Sequence, residues 1–388
     1  MAQQPAPRPD WRDSFFEFEG VTFLNAAGQA PMPRVAARSL TQAMEWKKLP
    51  HTLPDSAYFE LPDRIRALLA RLVGGQPHEF ALATGASGGL AAVAAGIDWR
   101  PEDEVLIARG EFPAHFCTWG PLSDAGRLRL EMVQPRDRFI TADDFIASIG
   151  PRTRLVSVSL VRFDDASCLD AARVAEVCHT VGAHLLLDVS QCAGALPMDA
   201  RALGADFLVC AGYKWLLSPY GTGFFWIRQE LIEEMRPQPF YWMALDGAAQ
   251  FHSLSLEELK LQPVARHARR WDSPETASYF NLAAMEASLQ FVLEVGPQTV
   301  LDHNNRLLEM MIERLPRDRC VLASPRDAAR RGPYACVAAR APEKTQALFE
   351  KLRAEKIFCA LRENALRIAP HLYNTDQDID RLLLALAT

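Results

Sequence analysis

Three runs decide the fold: Leu185-Leu-Leu-Asp-Val-Ser-Gln191, Phe207-Leu-Val-Cys-Ala-Gly-Tyr-Lys-Trp215 and Gly221-Thr-Gly-Phe-Phe-Trp-Ile227. Each is a short apolar stretch bounded by Gly, Pro or Ser, which is the pattern of strands buried on both faces. The first two end in a charge, Asp188 and Lys214, as strands do when a site lies at their carboxyl ends. On its own, a lysine just past a buried strand reads as a solvated residue or an ion-pair partner.

Outward from this stretch the chain keeps alternating. Strands are expected near 104–108, 128–133 and 155–161, and helices near 63–73, 141–149 and 170–181, ending or starting at glycines and acidic caps. That order predicts an α/β fold with a mainly parallel sheet between helices. Phe80 to Ile97 carries no charge, but its Gly, Ala, Ser and Thr content reads as strand, loop and helix from about Leu90, not as a membrane span. A long helix is expected over 280–295.

The 388 residues, 49% of them hydrophobic, suit more than one folded unit. A net charge of −6 gives no support to a nucleic-acid partner. The basic run Arg266 to Arg270 reads as a solvated loop or a local ion-pair cluster. Eight cysteines without a Cys-x-x-Cys pair lie mostly in apolar runs, which points to a reduced, cytoplasmic protein. No apolar signal core begins the chain, and no membrane partner is expected. The nine histidines form no His-Glu-x-x-His, so no metal is expected, and the Gly-rich run lacks the Gly-Lys-Ser/Thr of a nucleotide loop.

Asp188-x-x-Gln191 followed by Gly212-Tyr213-Lys214 resembles the cofactor signature of the class V aminotransferase superfamily, which includes cysteine desulfurases, kynureninase and isopenicillin N epimerase. The resemblance runs from about residue 20 to the end. It implies pyridoxal 5'-phosphate and fold type I: a large domain with a seven-stranded, mainly parallel sheet and a smaller α/β C-terminal domain. An arm at 1–20, a cofactor domain at 21–280 and a small domain at 281–388 follow from it. It makes Lys214 the lysine that bonds the cofactor aldehyde and later moves a proton, because burial lowers a lysine's pKa. Asp188 becomes the carboxylate on the pyridine nitrogen. Gln191 would bond the ring hydroxyl and Tyr213 the phosphate.

The same resemblance places the phosphate at Ala86 and Ser87, where a Gly-containing loop opens a helix and offers free N–H groups. Phe112 matches the ring that stacks on the cofactor; alone it would read as core. Ala26, Ala27 and Gly28 match the segment beside the substrate carboxylate, with Ala27 in contact. Arg367, in Ala365-Leu-Arg-Ile-Ala-Pro, matches the arginine that grips that carboxylate, with Arg362 a second candidate. Thr276 matches a residue that a neighbouring subunit lends to the phosphate, which implies a homodimer with a shared site. The family pattern is broken at Ala211, Ala86 and Glu275, where Ser, Thr and Gly are usual, and at Phe163, where desulfurases carry Asn. Arg162, Asp164 and Asp165 read either as substrate contacts or as a solvated loop.

The expected activity is an aminotransferase-type reaction on an α-amino acid. A C–S or C–N lyase or an amino-acid epimerase is the alternative, and a non-catalytic binding protein the third reading. Only Glu363 to Leu366 separate Arg362 from Arg367, too few for a desulfurase's mobile cysteine loop, and Cys359 reads as a core residue.

Overall fold

The computed structural model describes residues 10–236, 241–275 and 278–388. Seven of its strands form one sheet: β1 (Phe80–Ala83), β2 (Glu104–Ala108), β3 (Arg129–Val133), β4 (Thr153–Ser159), β5 (His184–Asp188), β6 (Phe207–Ala211) and β7 (Gly223–Ile227). Their spatial order is β1-β7-β6-β5-β4-β2-β3. The pairs β3-β2, β2-β4, β4-β5 and β5-β6 are parallel, and β7 runs antiparallel to both β1 and β6.

The apolar runs follow from burial on both faces. Leu185, Leu187, Leu208, Phe224 and Trp226 enter one core cluster, while Leu186, Phe207, Val209, Phe225 and Ile227 enter another. Alternate residues of each strand therefore bury on opposite sides. The crossover helices that cover the sheet are α1 (Ala86–Gly96), α2 (Pro113–Asp124), α3 (Ala142–Ser148) and α4 (Ala171–Thr180).

Two helices differ from the sequence expectation at their starts. The helix expected over 63–73 begins at Ala57 and carries Pro62 in its second turn, with Leu61 and Pro62 buried. Burial of that face outweighs the hydrogen bond proline cannot make. Helix α1 begins at Ala86, four residues before Leu90, so Gly88 and Gly89 are helical. A Cβ on Gly89 would lie 2.5 Å from Val209 and 3.1 Å from Phe225. The glycine is there to seat the helix on the sheet, not to end it.

A second, antiparallel sheet is built from β8 (Cys320–Leu322), β9 (Ala335–Ala339), β10 (Ala360–Arg362) and β11 (Ala365–Ile368) in the order β10-β11-β9-β8. It packs with helices 297–313 and 376–387 around a third cluster that includes Leu307, Met311, Val337 and Leu382. The helix Tyr279–Val295 precedes this part of the chain. Thr22–Phe23 pairs in parallel with Ile357–Phe358, and the bridge from Asn25 to Ala369 continues that line beside β11. Among the described residues no helix is long and apolar enough to cross a membrane.

Candidate active site

The carboxyl ends of β1, β2, β4, β5 and β6 lie along one edge of the sheet, and each delivers a polar or aromatic group there. This is where α/β sheets bind ligands, because helices starting just beyond the strands turn their N–H groups toward the same crevice.

Asp188 ends β5 and is 5% exposed. Its Oδ1 accepts the Ser190 N–H at 2.8 Å, and its Oδ2 lies 3.8 Å from His115 Nε2. Burial alone would raise its pKa, but His115, Lys214 and the Ser190 N–H outweigh that, and the carboxyl is held below its ordinary value. Ser190 Oγ accepts the Ala211 N–H at 2.8 Å, tying the turn after β5 to the end of β6.

Lys214 follows β6 and is 6% exposed. Burial lowers its pKa; Asp188 opposes the shift, while Arg367 and Arg362 add to it. A fixed backbone aims it. The Gly212 N–H donates to Thr222 O, the Ser218 N–H to Gly212 O and the Leu217 N–H to Lys214 O, with Leu217 at φ 56°. Tyr213 O accepts the Ala30 N–H at 3.1 Å, which brings the N-terminal segment against this turn. Lys214 Nζ sits 5.2 Å from the centre of the Phe112 ring and 5.8 Å from that of Tyr213.

Phe112 caps α2, and its own N–H donates to Glu111 Oε1 at 2.7 Å. The buried Glu111 also accepts the Ser159 N–H at 3.0 Å and the Ser159 hydroxyl at 2.6 Å. Arg162 Nη2 donates to Gly110 O and to Asp164, at 2.9 and 2.6 Å. Phe112 is thus held from both sides, and Phe163 stands edge-on to it at 5.3 Å and 81°.

Arg367 lies on β11, between Cys336 and Ala360, and is 2% exposed. It donates to Phe163 O at 3.1 Å and lies 5.7 Å from the Tyr334 ring centre. It forms no ion pair among the described residues, and its Nε has no hydrogen-bond partner there. Burial lowers its pKa, with Tyr334 opposing and Arg362 adding to the shift. An arginine keeps its charge at neutral pH under such a shift. A buried guanidinium without a counter-charge is costly until an anion fills the place.

Gln191 is spanned on both sides of its amide. Its Nε2 donates to Ala27 O at 3.1 Å, and its Oε1 accepts the Trp215 Nε1–H at 3.3 Å. The Ala26 N–H donates to Ala369 O at 3.1 Å, so the segment 25–28 runs between Gln191 and the Arg367 strand. Ala86 and Ser87 open α1, and Ser87 is exposed. Gly223 makes this approach possible: a Cβ there would sit 2.2 Å from Cys210 O and 2.8 Å from Gly85 Cα.

Lys214, Asp188, Gln191, Phe112, Ala27 and Arg367 therefore converge, with Ala86, Ser87 and Tyr213 along the same edge. Arg362 does not join them directly: it is exposed and donates to its own neighbour's carbonyl, Leu361 O, at 2.8 Å. It acts on Lys214 and Arg367 through charge alone. Thr276 lies outside the described residues. Arg162, Asp164 and Asp165 form an ion-paired knot at 2.6 and 3.8 Å, with Arg162 buried, not a solvated loop. His115, Glu111, Ser190 and Trp215 belong to the site and were not singled out from sequence. Ser190 and Trp215 adjoin Asp188 and Lys214 in the chain, whereas His115 and Glu111 make their contacts with Ser157, Asp188 and Ser159 on distant strands, for which the chain carries no local signal.

A family model described as aminotransferase class V matches residues 22–382. The chain belongs to the class V aminotransferase family. The family's cofactor is pyridoxal phosphate. An uncharacterized aminotransferase of Bacillus subtilis is 25% identical to this class V chain over 95% of it and 94% of the relative. Isopenicillin N epimerase of Streptomyces clavuligerus is 28% identical, with 94% of each chain covered. Among solved structures, a lysine-to-alanine variant of C-DES, with glycine covalently linked to its PLP cofactor, matches with a TM-score of 0.86. It is 21% identical, and 98% and 99% of the two chains are covered. A cysteine desulfurase from Thermococcus onnurineus NA1 matches at 0.83, with 17% identity and 100% and 98% coverage.

The class V site fits pyridoxal phosphate on its own chemistry. A buried carboxylate suits a protonated pyridine nitrogen, an aromatic face suits the ring, and a lysine with lowered pKa suits the aldehyde. The first turn of α1, at Ala86 and Ser87, has free N–H groups that suit a phosphate, and Arg367, without an acidic partner among the described residues, suits a second anion.

Proposed function

We propose that the protein is a pyridoxal-phosphate-dependent enzyme that acts on an α-amino acid, in an aminotransferase-type reaction. The observation that carries this reading is Arg367, a buried guanidinium with no acidic partner among the described residues, placed so that its charge is felt at Lys214. A planar guanidinium binds both oxygens of a carboxylate and fixes the orientation of the carbon next to it.

In this reading Arg367 and the backbone at Ala27 hold the substrate carboxylate, and Phe112 covers one face of the site against water. Asp188, held ionised, would pair with the ring nitrogen, while Gln191, Tyr213, Ala86 and Ser87 would hold the ring hydroxyl and phosphate. The cofactor, when bound, supplies an electron sink for the substrate's α-carbon. Lys214, whose pKa burial lowers, takes the α-proton and returns it. Where the proton goes back separates the aminotransferase from an epimerase, and similarity to isopenicillin N epimerase supports keeping that second reading.

A persulfide-forming desulfurase is disfavoured by the turn Glu363-Asn364, which joins β10 to β11 with no room for an inserted loop. Burial pushes the Cys359 thiol up to about 12, far from a nucleophile's range. The division into an arm at 1–20, a cofactor domain at 21–280 and a small domain at 281–388 is part of the same proposal. So are a homodimer with a site completed across the interface by Thr276 and, since all eight cysteines are free, a reducing, cytoplasmic location.

The test is the visible spectrum of the purified protein before and after borohydride, followed by peptide mapping. A yellow protein whose reduced label maps to Lys214 supports the reading. An amino-acid panel assayed for keto acid, sulfide and racemisation then names the reaction. A protein that stays colourless with added pyridoxal phosphate leaves only the non-catalytic binding protein.

A further inference from the structure

His115, one turn into α2, is a buried titratable group that the chemistry above leaves unused. It is fully buried, its Nδ1 lies 2.8 Å from Ser157 Oγ, and its Nε2 faces Asp188 Oδ2 at 3.8 Å. That distance is an ion-pair distance and too long for a hydrogen bond, and Nε2 has no hydrogen-bond partner among the described residues.

Ser157 decides which ring nitrogen carries the proton. Its Oγ accepts the Trp119 Nε1–H at 2.9 Å, which leaves the hydroxyl one lone pair and its own proton. It can donate to a bare Nδ1 or accept from a protonated one. A neutral ring with a bare Nδ1 carries its proton on Nε2, and a charged ring carries protons on both. The remaining tautomer would turn a bare Nε2 lone pair on the Asp188 carboxylate, which repels it. In both favoured states an N–H points at Asp188.

The charges around the ring agree. Asp188 faces it from β5 and Glu111 from the turn before α2, while Lys214 faces Asp188 from beyond β6. Burial lowers the imidazole's pKa, but Asp188 and Glu111 outweigh it and the net direction is upward. The Asp188 oxygens are then divided, Oδ1 taken by the Ser190 N–H and Oδ2 facing His115, with free lone pairs left for a ring N–H.

We propose that His115 is a positioning residue for Asp188: its Nε2–H orients the carboxylate, keeps it ionised, and through it sets how firmly the cofactor's ring nitrogen is held protonated. This rests on the reading of Asp188 as the partner of that nitrogen.

The experiment has two parts, both on the full-length chain. In the first, histidine-labelled protein is titrated by imidazole NMR before and after loading with pyridoxal phosphate, in the wild type and in Asp188→Asn. The His115 midpoint is expected to fall by about one pH unit or more in the variant. An unmoved midpoint overturns the proposal whatever the cofactor does. In the second, cofactor release and the pH dependence of the visible band are followed in His115→Phe and His115→Gln. Phenylalanine is expected to speed release about tenfold, and glutamine, whose amide N–H reaches the Nε2 position, to restore most of it. Equal release from the two variants overturns the proposal, because lost packing alone does not tell them apart. If His115→Phe does not fold, the NMR midpoint decides. A wild-type chain that takes up no cofactor removes the reading of the site and the second half of the proposal, while the titration still decides the pairing of His115 with Asp188.

Discussion

At the scale of single residues the site is a set of charges taken out of water and left for a ligand to complete. Two substitutions separate their roles. Lys214→Ala is expected to reduce turnover by about 10²–10⁴-fold, the usual worth of a positioned acid–base group, and to leave no borohydride-fixed label. Arg367→Lys keeps the charge but loses the paired hydrogen bonds, worth about 1.5–3 kcal/mol. Its effect belongs in KM, up by about 10- to 100-fold, measured with the amino acid the panel identifies. A drop in kcat with KM unchanged would remove Arg367 from substrate binding. His371 offers a stability test at the same scale. It is buried between Trp215 and Tyr373, its Nδ1 accepts the Leu372 N–H at 2.8 Å, and burial pushes its pKa down to about 3. The unfolded chain takes up that proton near pH 6.5 and the folded chain does not, so stability falls as the pH drops below 6.5 and stops falling near 3. Between pH 6.5 and 5 the loss from this group is about 2 kcal/mol. His371→Asn, which keeps an acceptor near Nδ1, should lose that much less stability over the same interval in denaturant melts at the two pH values.

At the scale of elements the hairpin of β10 and β11 carries both arginines and closes in a two-residue turn with Glu363 at φ 41° and Asn364 at φ 60°. Both central residues are left-handed, as a type I′ turn requires, but glutamate is a poor residue for it. Replacing the pair with Asn-Gly should raise the midpoint of thermal unfolding, corresponding to about 0.5–1 kcal/mol. Cys359→Ala should leave turnover and any sulfide release unchanged; abolition of sulfide release would restore the desulfurase reading. This level also shows what the chain makes legible. Asp188 and Lys214 end runs whose apolar character announces buried strands, so their place at the sheet edge can be read directly. The start of α1 could not be read that way, because Gly88 and Gly89 look like loop residues until Val209 and Phe225 are seen pressing on the helix. Glu111 and His115 gave no signal either, since their roles come from Ser159, Ser157 and Asp188, tens of residues away.

At the scale of the whole molecule, periodicity fixes that the sheet is parallel and covered, but not that β7 enters it backwards between β1 and β6. That pairing depends on Gly223, whose missing side chain lets the strand lie against Cys210 and Gly85. The surface raises the last question, which is whether the site closes within one chain. Tyr220 is 72% exposed although its ring packs 4.5 Å from that of Tyr213, beside Lys214. A ring of this size left in water next to a buried charge cluster is what a subunit contact would cover. The wild type is therefore expected to sediment at twice the chain mass. Tyr220→Glu would place an unpaired charge in that contact and should shift the protein to a single chain that loses pyridoxal phosphate on gel filtration. A wild-type protein that sediments as one chain at micromolar concentration and stays yellow would show that the site needs no second subunit, and Thr276 would then have no part in it.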